Sequence, residues 1–403
     1  MTVTTANTSE VDYDPYNIEL NRDPYPTFRR LREEKPLYYN EEQDFYALSR
    51  FDDVHAAFSD YQTFSSGKGA VLEIVKSGME IPRGILVFED PPVHDIHRNL
   101  LTGMFTPRRM SALESQIREY CARCLDPLVG TGRFDFVNDL GAEMPMRVIG
   151  MLLGIPEEQQ QTVTDHGDAP IRTAPGEKMT DNPDGPFATG DVFADMIDWR
   201  AKNPSDDLIT ELMNAEFEDE TGTRRRLTGE QLHLILMVLA TAGSETTTRL
   251  ISWTGKVLAE HPDQRAELAA KPALIPRAVE ELLRFEPPAL HAARYVTRDV
   301  EYYGQTVPEG SAMLLMIGAA NRDHRRFPPD GDVFDIHRDR RPHLSFGYGT
   351  HFCVGNALAR LETRIAIEEI LKRFPEWEVD LTHAQLSPTS TVRGWASMPT
   401  IIP

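Results

Sequence analysis

Cysteine is nearly missing from this chain: Cys121, Cys124 and Cys353 are its only three in 403 residues. That is too few for a disulfide framework and fits a reducing compartment. The C-x-x-C of Cys121 and Cys124 has no second cysteine pair to complete a zinc site. Both fall on an apolar stripe at helical spacing, Met110, Leu113, Ile117, Cys121, Cys124 and Leu128, so they are expected in a core. Basic residues are few as well, 42 Lys and Arg against 63 Asp and Glu, giving a net charge of −21. That balance argues against nucleic acid as a partner. Long hydrophobic runs are lacking too. The most apolar helical stretch, Leu232 to Gly243, is interrupted by His233 and falls far short of a membrane span. The N-terminus carries Glu10, Asp12 and Asp14 and has neither the basic nor the apolar region of a signal peptide. The expectation is a soluble, cytoplasmic protein with no membrane partner.

What is present is enough for a large core, with 40% hydrophobic and 8% aromatic residues. No repeat, low-complexity tract or linker divides the chain. It is expected to form one domain over 1–403, mainly α with a minor β part, with 1–22 as a poorly ordered extension. Helices are predicted at Tyr25 to Glu34 and Phe51 to Phe58, and strands around Leu37 to Tyr39 and Phe45 to Leu48. Residues 65–89 are rich in glycine yet strongly apolar, the mark of a loop buried over a core or lining a ligand site. Asp165 to Gly190 reads as a mobile connection, and Asp219 to Gly222 as an exposed turn. Thr228 and Gln231 match a capping box that opens a helix running to about Glu260. At 1.5 Å per residue that helix is roughly 48 Å long and would cross a whole domain. A second strong helix covers Ala273 to Phe285, with strand pieces at Arg294 to Tyr303 and Ala312 to Ile317.

The third cysteine stands apart. It lies in Phe346-Gly347-Tyr348-Gly349-Thr350-His351-Phe352-Cys353-Val354-Gly355, just before a helical pattern that extends to about Phe374. Glycines let the backbone turn tightly and approach something flat and bulky. A helix N-terminus behind the cysteine favours thiolate, the metal-binding form. A buried cysteine in a glycine-rich turn is the plainer alternative. The full pattern F-G-x-G-x-H-x-C-x-G resembles the heme-binding loop of the cytochromes P450.

Three further motifs carry the same resemblance. Ala242-Gly243-Ser244-Glu245-Thr246-Thr247 breaks an apolar helix with an acid and a run of hydroxyls. Alone it would be a polar kink. It is similar to the family's (A/G)-G-x-(D/E)-T-(T/S). Ala242 and Gly243 would then make room for O2, and Glu245 and Thr246 would be the catalytic proton relay for splitting the O–O bond. Glu281 and Arg284, at i and i+3, could be surface decoration. They match the family's E-x-x-R, a buried charge network with Arg338 as its third member. Asp90-Pro91-Pro92-Val93-His94-Asp95-Ile96-His97-Arg98 resembles D-P-P-x-H-x-x-x-R, although Asp95-Ile96-His97 departs from the commoner wording. His97 itself reads as an exposed helical histidine.

The resemblance implies the P450 fold, with the long helix crossing over heme b, and iron ligated axially by the thiolate of Cys353. It implies cofactor contacts from His94, Arg98, Ala242, Arg294, Phe346, Gly347, His351 and Gly355. The implied activity is a monooxygenase acting on an apolar small molecule such as a steroid, terpenoid or fatty acid. Electrons would come from a separate ferredoxin or flavodoxin with its reductase. Alternatives are a peroxygenase, an oxidative-coupling enzyme or a heme sensor; the Glu245-Thr246 pair counts against the first. The substrate pocket is expected to draw on the 65–89 loop, Val238, Leu239, Ala242, Ala289, Leu290, His291 and Val392. His291 could anchor a ligand or simply be a satisfied histidine at the pocket edge. Arg108, Arg109, Arg338, Arg340, Arg341, His343, Arg360 and Arg364 could form a basic face for the electron donor.

Overall fold

The computed structural model describes residues 11–162, 192–388 and 392–403. The expected connection at 165–190 lies outside them, as do the first ten residues. The rest of the supposed N-terminal extension is a correction: it is packed. Tyr13 is fully buried, and Ile18–Arg22 is a short helix capped by Asn17. The reason lies in Tyr13, whose ring sits edge-on to Phe28 and whose carbonyl accepts from the Asn40 side-chain amide.

The elements that build the site are labelled in chain order. The helices are α1 (Tyr25–Glu34), α2 (Val93–Thr102), α3 (Glu114–Leu125), α4 (Glu143–Leu153), α5 (Gly229–Glu260), α6 (Ile275–Phe285) and α7 (Asn356–Arg373). A five-stranded sheet holds β1 (Leu37–Asn40), β2 (Phe45–Leu48), β3 (Phe64–Ser65), β4 (Ala292–Val296) and β5 (Ala312–Leu315). Its order is β1-β2-β5-β4-β3. The β2–β5 pair is parallel, with Ala47 opposite Leu314, and the other pairs are antiparallel.

The capping box at the head of α5 is formed: Thr228 accepts from the Gln231 N–H at 3.1 Å, and Gln231 returns the bond. The helix then runs for 32 residues, with Ser244, Thr246 and Thr248 donating their hydroxyls to carbonyls one turn back. By length and composition α5 could cross a membrane, but its most apolar stretch is 72% buried inside the chain. It packs on α4 on one side and α7 on another, and α7 in turn meets α3 and α6. Cys121 belongs to this core and is fully buried, with Cys124 packed against it. Behind α6, Glu281 pairs with Arg284 at 2.7 Å and with Arg338 at 3.2 Å. Arg284 also donates to the carbonyls of Asn321 and Gly331, so this buried charge is fully engaged.

Candidate active site

The cysteine loop leads straight into α7. Gly347 and Gly349 adopt φ of +68° and +71°, backbone that other residues enter only with strain. A Cβ on Gly349 would also meet the Phe58 carbonyl at 2.8 Å. The turn is closed by the Cys353 N–H donating to Phe346 O at 2.8 Å and by Asn356 Nδ2 donating to Cys353 O at 2.7 Å. Burial pushes the thiol pKa of Cys353 up, against the Gly355 N–H, Arg98 and Arg360, which pull it down. A bound metal would hold the thiolate against this burial.

Cys353 faces a cavity of about 270 Å³ whose lining is mostly apolar. Across it lies α5, contributing Val238, Leu239, Ala242, Gly243, Thr246 and Thr247. Gly243 has a second duty, since a Cβ there would come within 2.8 Å of Ile149 on α4. Thr246 is on the cavity with its hydroxyl donating to Ala242 O at 2.9 Å. Glu245 is not among the lining residues. Its carboxylate is buried and accepts from Arg249 Nε at 3.0 Å; Arg249 also donates to the Trp395 carbonyl and the Ser387 hydroxyl.

At one end of the cavity four basic side chains converge: His94 and Arg98 from α2, Arg294 from β4, and His351. The two imidazole rings are 4.3 Å apart, and both Nε2 atoms are buried without a hydrogen-bond partner. Arg294 is buried and, among the described residues, donates only to its neighbour's carbonyl; burial, partly opposed by the charge of Asp90, brings its pKa down to about 10. Burial, then Arg294, His94 and Arg98, depress His351 to about 3. Arg98 has no ion-pair partner among the described residues, and burial lowers its pKa as well. So many uncompensated donors in one dry place call for an anion. The two carboxylates of heme fit, and the apolar space between Cys353 and Ala242 suits its flat ring.

The structure brings His94, Arg98, Ala242, Thr246, Phe346, His351, Cys353 and Gly355 onto one cavity and leaves other expected residues off it. His97 is a correction: it is 1% exposed, because its Nδ1 lies 2.8 Å from Glu89 Oε2 and Phe217 stands edge-on to its ring. Glu89 also accepts the Gly84 N–H at 2.8 Å, tying α2 to the loop whose Gly84, Leu86 and Val87 line the cavity. Of the other pocket expectations, Ala289 lines it while Leu290, His291 and Val392 do not. Half-buried His291 meets the Tyr13 hydroxyl at 3.3 Å, and desolvation lowers its pKa to about 4, so it reads as a satisfied neutral histidine. The basic face is largely neutralised. Arg109 pairs with Glu211, Arg360 with Glu280 and Arg364 with Glu114, while Arg108, Arg340 and Arg341 form no ion pair among the described residues. Sequence reasoning missed Glu362, an acid on the cavity from α7. The signal was its place in the stripe Leu358, Leu361, Ile365, Ala366.

The comparisons agree with this geometry. The Cytochrome P450 family model matches residues 271–399. Cytochrome P450 123 of Mycobacterium tuberculosis is 37% identical over 396 residues, covering 97% of this chain and 96% of that protein. The vitamin D(3) 25-hydroxylase of Pseudonocardia autotrophica is 34% identical over 408 residues, covering 99% and 98%. The structure of CYP109E1 from Bacillus megaterium in complex with testosterone matches with a TM-score of 0.85 at 27% identity, covering 95% and 99%. With relatives that match along nearly its whole length, its fold and a cysteine facing an apolar cavity, the chain belongs to the cytochrome P450 family of heme-thiolate monooxygenases.

Proposed function

We propose that this P450 hydroxylates a neutral, apolar small molecule with a steroid-like or terpenoid skeleton in the cytoplasm, using electrons from a separate ferredoxin or flavodoxin and its reductase. Cys353 is the iron ligand in this reading, and His94, Arg98, Arg294 and His351 hold the heme carboxylates. The bound heme supplies O2 activation for inserting one oxygen atom into a C–H bond. The chain supplies the rest. Leu86, Val87, Val238, Leu239 and Ala289 give the substrate an apolar wall and keep water out. The Thr246 hydroxyl stands on the cavity, where it can hold a proton for O–O cleavage, a feature that supports a monooxygenase over a peroxide-driven enzyme. Among the described lining residues the cations are confined to the heme-carboxylate end. A fatty-acid carboxylate would find no partner on the apolar wall, which disfavours that third substrate class. A vitamin D(3) hydroxylase and a testosterone complex among the relatives support a polycyclic ligand.

The observation that carries the reading is Cys353 facing Ala242 and Thr246 across one cavity. The reduced protein with carbon monoxide is expected to show the red-shifted Soret band after which the family is named. Cys353→Ala should abolish it, and a normal band in that variant would overturn the ligand assignment. A Soret-shift screen of steroids, terpenoids and fatty acids tests the substrate class; tight shifts from fatty acids alone would refute the neutral-skeleton reading.

A further inference from the structure

Gly84, Leu86 and Val87 line the cavity, and Val87 is also 42% exposed, so the loop that carries them forms the cavity's mouth. That loop is held from two sides. On the inner side the anchor is Glu89, buried at the loop's end. Its Oε1 accepts the Gly84 N–H at 2.8 Å, and its Oε2 lies 2.8 Å from His97 Nδ1 on α2. His97 is buried too, so this bond is made away from water, where losing one partner costs most. Gly84 lies against the first turn of α5: a Cβ there would come within 3.0 Å of the Gln231 carbonyl. On the outer side stands the hairpin of Glu216–Glu218 and Arg224–Arg226, whose two strands carry one apolar side chain, Phe217. That ring is edge-on to His97, with centroids 6.1 Å apart. Arg225 lies 5.0 Å from the centre of the Phe217 ring and donates to Gln231 Oε1 at 3.1 Å. In the hairpin turn, Glu220 pairs with Arg83, the residue before Gly84. His97 is where α2, the loop and the hairpin meet, and neither it nor Glu89 is among the cavity's lining residues.

We propose that His97 is a positioning residue for ligand selection: through Glu89 and Phe217 it clasps the 84–89 loop against α5 and holds Leu86 and Val87 where a bulky ligand meets them. A wall fixed in advance spares the ligand the cost of ordering it. Ligands large enough to reach the mouth therefore feel the clasp, and ligands that need only the iron do not. The inference rests on the heme reading above and holds whatever the skeleton of the natural substrate.

Amide hydrogen exchange of the heme-loaded protein reads the loop directly. His97→Leu should speed exchange across residues 84–88 by about tenfold, the worth of one buried hydrogen bond, while exchange across α7 stays as it was. His97→Asn, whose side-chain amide can stand where Nδ1 stands, should restore most of the protection. In Soret titrations the bulky azole clotrimazole should bind His97→Leu about tenfold more weakly than the parent, and unsubstituted imidazole should bind both alike. Phe217→Ala, on the half-buried hairpin, should move both readouts the same way, and it decides the matter if His97→Leu does not load heme. Unchanged exchange at 84–88, or an equal loss for imidazole and clotrimazole, overturns the clasp; a normal carbon monoxide band in the same variants then leaves the heme-thiolate reading standing. Absence of that band from the parent would sink the heme reading, while the exchange measurement still decides the clasp.

Discussion

Glu245 and Thr246 are neighbours in sequence with different surroundings, and their substitutions should separate. Thr246 is on the cavity, so Thr246→Ala is expected to keep heme and ligand binding while more of the consumed NADPH ends as peroxide; unchanged peroxide yield would remove its proton role. Glu245 is locked to Arg249, and that pair stitches α5 to the Trp395 carbonyl. Glu245→Gln should therefore cost stability, about 3–5 kcal/mol for stranding a buried cation, as read by denaturant unfolding. A stable variant that is merely slow would restore Glu245 as a proton shuttle. At this scale the sequence was legible wherever glycine or proline constrained the backbone, as around Cys353 and Asp90-Pro91-Pro92. It was ambiguous for acids on helices. The i, i+4 spacing of Glu245 and Arg249 permits their pair without requiring it, and on α7 only packing reveals that Glu362 points inward while Glu368 meets Arg118 and Arg364.

Among the elements, the helices with local signals were read closely: α5 matches its capping box, and α1 has the bounds that were expected. The hairpin of Glu216–Glu218 and Arg224–Arg226 was not, since its strands are charged and lack an apolar alternation. Its turn at 219–222 was legible from Asp219 and Gly222. The junction of α6 with α7 makes an acid-sensitive joint. Burial raises the Glu280 pKa, but hydrogen bonds from His343 and Arg360 outweigh this and bring it down to about 2 from an unperturbed 4.5. A carboxyl depressed on folding stabilises the fold fully above about pH 4.5, and that contribution is lost as pH falls toward 2. Unfolding followed across this window should show a steeper acid loss in the parent than in Glu280→Gln. Identical pH slopes would mean that the joint contributes nothing.

At the level of the whole molecule, pairing between distant segments was beyond local reading. Nothing in β2 announces that Ala47 will lie beside Leu314. The distribution of charge was hidden for the same reason, because the arginines that looked like a basic face find their carboxylates on other elements. What survives is narrower. A cleft behind the cysteine loop is walled by Pro107, Phe346 and Phe352 and edged by Arg340, Arg341 and Arg360. Arg340 and Arg341 are exposed, and neither forms an ion pair among the described residues, on a chain of net charge −21. An acidic electron donor would be repelled by most of this surface and drawn to that edge, which fixes its orientation on the Cys353 side. Arg341→Glu should then slow first-electron transfer from a plant ferredoxin by about tenfold at low salt. The difference should shrink as ionic strength approaches 0.1 M and the screening length falls to about 10 Å. Arg109→Glu and Arg364→Glu put a like charge against an existing carboxylate, Glu211 or Glu114, so they should alter stability more than this rate. If all three reversals slow the transfer equally, the donor responds to net charge and the cleft is not its docking place.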